Sequence, residues 1–193
     1  MVTVRFYDEP DFDKKEIMRY AGCGGTDAAT DKLIDSCIAE VRPLLNYKVC
    51  CREFDVAVSG DVCSMGELTV ASRNLAKNLD GCRSVIIFAG TVGVEIDRLI
   101  LKYSSISPSR AVIIQAIGAE RIEALCDIFC KEMAAEHDTA LRPRFSPGFG
   151  DLSLSVQKDI FNVLNCGKHI GVFLRDSLIM SPSKSVTAFV GVE

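Results

Sequence analysis

The residues best suited to chemistry lie together in Arg144-Phe145-Ser146-Pro147-Gly148-Phe149-Gly150. Pro147-Gly148 predicts the centre of a type II turn, with proline pre-set at its φ and glycine at positive φ. Glycine also lets a ligand come close to the backbone. Arg144 could fork onto a carboxylate through two parallel hydrogen bonds, and Phe149 offers a flat apolar wall. Such an ensemble could hold a small zwitterion that carries an aromatic base. The plainer reading is a tight surface turn beside a solvated arginine.

Other reactive types fit no known constellation. Gly90-Thr91-Val92-Gly93 stands between a strand and a helix, where a phosphate can sit on the helix N-terminus. A dinucleotide fingerprint needs a further glycine and a P-loop needs Gly-Lys-Ser/Thr, and neither is present. Glu95 in the first helical turn would repel an anion, so a plain strand–helix turn is expected. There are nine cysteines, with Cys50-Cys51 adjacent and Cys126 and Cys130 on one helix face, but no Cys-x-x-Cys pair for zinc or an iron–sulfur cluster. The two histidines, His137 and His169, have no metal-ligand spacing, so no metal site is expected. No Gly-x-Ser-x-Gly elbow supports a serine hydrolase.

Composition narrows the class. The chain has 193 residues, 48% of them hydrophobic and 25% charged, which excludes a disordered chain and allows a sizeable core without staples. A net charge of −4 argues against nucleic-acid binding, which needs a basic face. Residues 1–20 carry Asp8, Glu9, Asp11, Asp13 and Glu16, so no apolar signal core is read there. Apolar runs such as Val85–Gly90 are too short to cross a bilayer. The expectation is a cytoplasmic, reduced protein that uses cysteine as a small buried hydrophobe.

Stepping along the chain, residues 2–6 alternate like a short strand, and helical spacing at Ile17, Met18 and Tyr20 stops at Gly22-Cys23-Gly24-Gly25. That glycine cluster predicts a joint, so residues 1–25 are expected to pack loosely on a single domain spanning 1–193. Thr26 or Asp27 can cap the next helix, whose apolar face reads Leu33, Ile34, Cys37, Ile38, Val41 and Leu45. Tyr47–Val58 predicts a strand interrupted near Arg52-Glu53, and residues 71–79 a helix with Gly81 just past its end. Ser84–Ala89 is an unbroken β-type run and predicts a central buried strand. A helix follows Gly93, with Ile96, Leu99 and Ile100 on one face. Ser107-Pro108 opens the longest helix, with serine as cap and a stripe of Ile122, Leu125, Cys126, Phe129 and Met133. Val156, Ile160, Phe161 and Leu164 mark a further helix that Gly167 would end. Val172–Val192 reads as two strands joined by Ser181-Pro182-Ser183. Without strict β-α-β alternation, the prediction is α+β with a mainly antiparallel sheet flanked by helices.

The segment from Arg144 to Val192 resembles the reactivation (S-adenosylmethionine-binding) domain of cobalamin-dependent methionine synthase. The family's Arg-x-x-x-Gly-Tyr signature stands here as Arg144-Phe145-Ser146-Pro147-Gly148-Phe149. The helix that follows, over 153–164, is similar to the family's too. So are Lys168-His169-Ile170-Gly171 and the closing Pro182-Ser183-Lys184-Ser185-Val186-Thr187. Thr91-Val92-Gly93 with Asp97-Arg98, and Ile122-Glu123-Ala124-Leu125, look like family segments as well. The resemblance covers roughly residues 80–192 and is weak before that. It implies a reactivation subunit. S-adenosylmethionine would be presented to oxidised cob(II)alamin on a separate corrinoid protein while an electron arrives from flavodoxin or another donor, restoring methylcobalamin. The chain would be one component of that methyltransferase system, and the cobalamin would be held by its partner, a corrinoid-binding methionine synthase or related methyltransferase.

By that resemblance Arg144 would pair with the methionine carboxylate. Backbone from Ser146 through Gly148 to Phe149 would hydrogen-bond and border the adenosine, and Glu123 would bind a polar group of the ligand. On the helix, Glu123 falls on the flank of the apolar stripe, beside Cys126 and Cys130; the plainer reading is a solvated glutamate. Phe149 replaces the family tyrosine and lacks its hydroxyl. Asp8 to Asp13 does not look like the segment that carries an early aspartate in the large enzymes. The large enzymes also continue beyond the position of Glu193, so the chain is similar to the compact, free-standing version. Phe149 and the missing aspartate favour an alternative: a docking module for a corrinoid methyltransferase that does not bind S-adenosylmethionine. A cysteine-based redox carrier is a third reading.

Overall fold

The computed structural model describes residues 1–25 and 27–193. Its centre is strand β5 (Ser84–Thr91), in which all residues are buried, as the unbroken apolar run predicts. The long β2 (Tyr47–Ser59) pairs along one edge of β5, and β8 (Ser185–Val192) along the other. The far edge of β2 is shared: β1 (Thr3–Tyr7) pairs with its first half and β3 (Val62–Met65) with its second. Strand β4 (Leu68–Ala71) extends the sheet beyond β3, and β6 (Phe173–Leu174) with β7 (Met180–Ser181) forms a separate hairpin. These pairings are all antiparallel, so the predicted α+β class with a mainly antiparallel sheet is what the chain adopts.

Period-two alternation sends successive side chains of a strand to opposite faces, and each face has its own core. Val49, Cys51, Ile86 and Phe88 pack on one side beneath α1 (Lys14–Tyr20), α2 (Ala28–Val41), α4 (Glu95–Ile106) and α5 (Pro108–His137). Cys50, Val85, Ile87 and Phe189 pack on the other, with α3 (Arg73–Leu79), α6 (Gln157–Leu164) and α7 (Cys166–Ile170). The predicted stripe of α5 is buried from Ile122 to Met133. Phe129 meets Phe88 with ring centroids 4.6 Å apart, and full burial of each such side chain contributes about 1.5–3 kcal/mol.

Several expectations need correction. Strand β2 is continuous through Arg52 and Glu53, because both pair with β5, opposite Ile87 and Ile86. Residue 71 closes β4, and helix α3 begins at Arg73 under a Ser72 cap that accepts from the Leu75 amide. The β3–β4 hairpin, to which the sequence reading assigns nothing, has an alternation of only four residues per strand. Helix α6 stops at Asn165, which takes φ +47, and Gly167 lies inside α7. The region 172–192 holds three strands, and Ser181-Pro182-Ser183 links the short β7 to β8. Ser107 precedes α5 but makes no side-chain cap bond; Pro108 at the first position suits the unpaired amides there. Asp27 caps α2 by accepting from the Thr30 amide at 2.7 Å; Thr26, the other cap candidate, lies outside the described residues.

Residues 3–20 join the sheet and the core. Strand β1 is part of the main sheet and Ile17 is fully buried. The glycine cluster is a turn between α1 and α2, with Gly22 at φ +71.

Candidate ligand-binding site

Strand β8 leaves one edge free of a full partner strand, and the segment 141–145 runs along it. Leu141 bridges Val192, and Phe145 exchanges two 2.9 Å backbone hydrogen bonds with Phe189. Alternation then separates neighbours: Phe145 packs with the core beneath α6, while Arg144 reaches α5. There Arg144 meets Glu123 and Asp127, one helical turn apart. Its Nη2 donates to Glu123 Oε2 at 2.8 Å and its Nη1 to Asp127 Oδ1 at 2.5 Å. Burial is the largest single effect and works against the guanidinium charge, but the Asp127 carboxylate and the neighbouring Cys126 and Cys130 together outweigh it and hold the group above the ordinary arginine value. The three side chains remain accessible, at 26% for Arg144, 48% for Glu123 and 72% for Asp127.

The predicted turn is present. The Phe149 amide donates to the Ser146 carbonyl at 3.1 Å across Pro147-Gly148, and Gly148 has φ +95. The Gly148 amide donates to the Leu152 carbonyl at 2.8 Å, so both amides are already bonded inside the loop. The Ser146 and Phe149 carbonyls accept within the loop as well, and what the turn exposes is the Phe149 ring, which is 58% exposed and meets Phe145 edge-on at 6.3 Å. Asp151 fastens the loop from behind. Its carboxylate accepts from the Ser72 hydroxyl and from the amides of Arg73 and Asn74 at 2.9 and 3.1 Å. The Ser72 bond leads the effects that hold the Asp151 carboxyl below the usual aspartate range.

Of the candidates, then, the structure joins Glu123 directly to Arg144, and carries Ser146, Gly148 and Phe149 on the turn that follows. It also adds groups that the sequence reading missed. A cleft of about 420 Å³ runs beside the Arg144 network, lined by Pro10, Asp11, Asp13, Glu120, Glu123 and Asp127 among others. The loop before α1 is held there by Arg121, which is fully buried. Arg121 pairs with Glu120, donates to the carbonyls of Pro10 at 2.5 Å and Asp11 at 2.6 Å, and lies 3.9 Å over the Phe12 ring. Asp13 spends its carboxylate capping α1, accepting from Lys15 and Glu16 amides. Asp11 has no such duty among the described residues. One signal for the clamp was legible: Arg121 stands four residues after Ile117 and four before Leu125, on the apolar stripe of α5.

The remaining reactive types are placed elsewhere. Burial pushes up the thiols of Cys37, Cys51, Cys63, Cys126 and Cys130. A neighbouring Cys166 thiol does so most for Cys50, with burial adding to it. Raised thiols of this kind are poor nucleophiles. Thr91 Oγ1 accepts from the Gly93 amide at 3.2 Å, which closes the strand–helix turn on itself. Among the described residues no group of three metal-ligating side chains converges, and no helix is long and apolar enough to cross a membrane.

No protein-family model matches the chain, and no curated protein does either. Among solved structures, the MetH reactivation domain bound to AdoHcy superimposes with a TM-score of 0.70 at 14% identity, covering 99% of this chain and 78% of that one. The chain therefore has the fold of the MetH reactivation domain.

Proposed function

We propose that this protein binds S-adenosylmethionine along the Arg144 edge and presents it to a corrinoid held by a partner, a methionine synthase or related methyltransferase. One observation carries the reading: Arg144 and Glu123 meet at an accessible edge, beside an acidic cleft, in the fold of a domain solved with AdoHcy. The donor set suits the ligand. A guanidinium matches an amino-acid carboxylate, carboxylates match an ammonium and a sulfonium, and an exposed aromatic ring borders an adenine.

Bound there, S-adenosylmethionine supplies a methyl group on a sulfonium, whose departure needs no general base. The residues of this chain bind and orient it. Arg144 would hold the carboxylate. Glu123 and Asp11, whose carboxylate is not used as a cap, would face the cationic groups. The backbone of Ser146–Phe149 and the Phe149 ring would border the adenosine. Positioning is the whole task, because donor and acceptor atoms must meet in line. The electron would come from a separate donor, flavodoxin or another carrier, in the cytoplasm.

Calorimetric titration with S-adenosylmethionine tests this. The expected result is binding by the wild type that is weakened by about 1.5–3 kcal/mol in Arg144→Ala, the range for a hydrogen bond to a charged group. A second reading, a docking module without the ligand, is favoured by Phe149 in the tyrosine position and by a guanidinium already bonded to two carboxylates. No heat from the wild type, with retention of the corrinoid protein in a pull-down, would establish it instead.

A further inference from the structure

We infer that Asp127 is an internal competitor for Arg144, a carboxylate that holds the guanidinium until the carboxylate of a ligand takes its place. This rests on the S-adenosylmethionine reading and names the group that occupies the carboxylate subsite before the ligand does. Glu123 and Asp127 stand four residues apart on α5, where like charges repel. Arg144 relieves that repulsion by bonding one with each terminal nitrogen. One guanidinium against two carboxylates leaves the trio at a net charge of −1, and the neighbouring cleft adds Asp11 and Asp13, its Glu120 being paired with Arg121. An arriving carboxylate would be a third acceptor on one cation inside a negative field.

The network therefore accepts a carboxylate only if one of the two incumbents withdraws. Asp127 is the one that can. It is 72% exposed against 48% for Glu123, so water takes over its bonds at little cost, and exposed ion pairs contribute little. The carboxylates that remain, Glu123 with Asp11 and Asp13 of the cleft, keep the field negative. The site thus favours a ligand that brings its own cation beside the carboxylate, as the α-amino-acid end of S-adenosylmethionine does. A simple carboxylate or phosphate brings none.

The test is calorimetric titration of wild type and Asp127→Asn with two neutral-sulfur probes, S-adenosylhomocysteine and methylthioadenosine. The second probe lacks both carboxylate and ammonium. Asp127→Asn should bind S-adenosylhomocysteine about two- to fivefold more tightly, the range set by an exposed ion pair, and methylthioadenosine as the wild type does. Unchanged or weaker binding of S-adenosylhomocysteine overturns the inference, the weaker case because Asp127 would then be holding the ligand's ammonium. An equal gain for both probes overturns it too, since the effect would not depend on the carboxylate. If neither protein binds either probe, the ligand reading itself fails and the inference with it. Binding that appears only in Asp127→Asn supports it.

Discussion

Helix α5 supplies the carboxylates of two arginine clusters, and the clusters differ most in their access to water. Arg121 with Glu120 is sealed, and every group it meets belongs to the protein: a carboxylate, two carbonyls and the Phe12 ring. Arg144 with Glu123 and Asp127 uses the same chemistry at the surface. A buried charge must stay paired, because exposing it alone to a low-dielectric interior is costly. The sealed cluster is therefore a fastener that ties the segment before α1 to the core. An exposed pair can exchange partners with water or ligand at little cost. The same residue types thus make a clamp in one place and an accessible cluster in the other, with the carboxylates of both on residues 120–127 of a single helix.

The largest effect that separates the two comes from Arg121→Ala. It leaves Glu120 buried without its partner, and the expected destabilisation is about 3–5 kcal/mol. For a chain of this length that lowers the melting temperature by on the order of 10 °C. Thermal denaturation followed by circular dichroism reads it, and hydrogen exchange should rise over Asp13–Tyr20. A loss below about 1 kcal/mol would erase the distinction between the sealed and the exposed cluster.

Arg144→Ala is the matched change on the exposed side. Stability should fall by less than about 1 kcal/mol, because Glu123 and Asp127 re-solvate. S-adenosylmethionine affinity should fall by about 1.5–3 kcal/mol. Denaturation and calorimetry on the same preparation give both values, and a large stability loss would place Arg144 with Arg121 as a fastener.

Gly148→Ala probes the loop that presents the exposed cluster. At φ +95 a Cβ is strained although the space is nearly clear, with Leu154 at 3.5 Å. The expected cost is about 1–2 kcal/mol of stability, together with loss of ligand binding. An unchanged melting temperature would show that the loop relaxes freely and that its shape is not what the site depends on.

The smallest effect is a gain. Phe149→Tyr places a hydroxyl on a ring that is 58% exposed, so water can satisfy it and stability should stay within about 0.5 kcal/mol. If the ring borders the ligand, binding should tighten by about 0.5–1.5 kcal/mol. A lower melting temperature with no binding in either protein would count for the docking-module reading.

Local patterns in the sequence carried much of this. The apolar run of Ser84–Ala89 marked the central strand, and the stripe from Ile122 to Met133 marked the buried face of α5. Pro147-Gly148 specified its turn, because ring closure and the missing Cβ act on φ within two residues. These features depend on neighbours in the chain, and a sequence states its neighbours directly.

Tertiary structure alone decided what the charged residues do. Arg144 meets Glu123 and Asp127 only because the segment 141–145 docks on the free edge of β8. Asp11 enters the same cleft only because Arg121 holds the carbonyls of Pro10 and Asp11 across more than a hundred residues of chain. Cooperation between β1 and β2 likewise set the N-terminal segment in the sheet despite the glycine cluster that follows it. A charge has no preferred partner until the fold fixes both distance and water access, and those two quantities separate a clamp from a binding site.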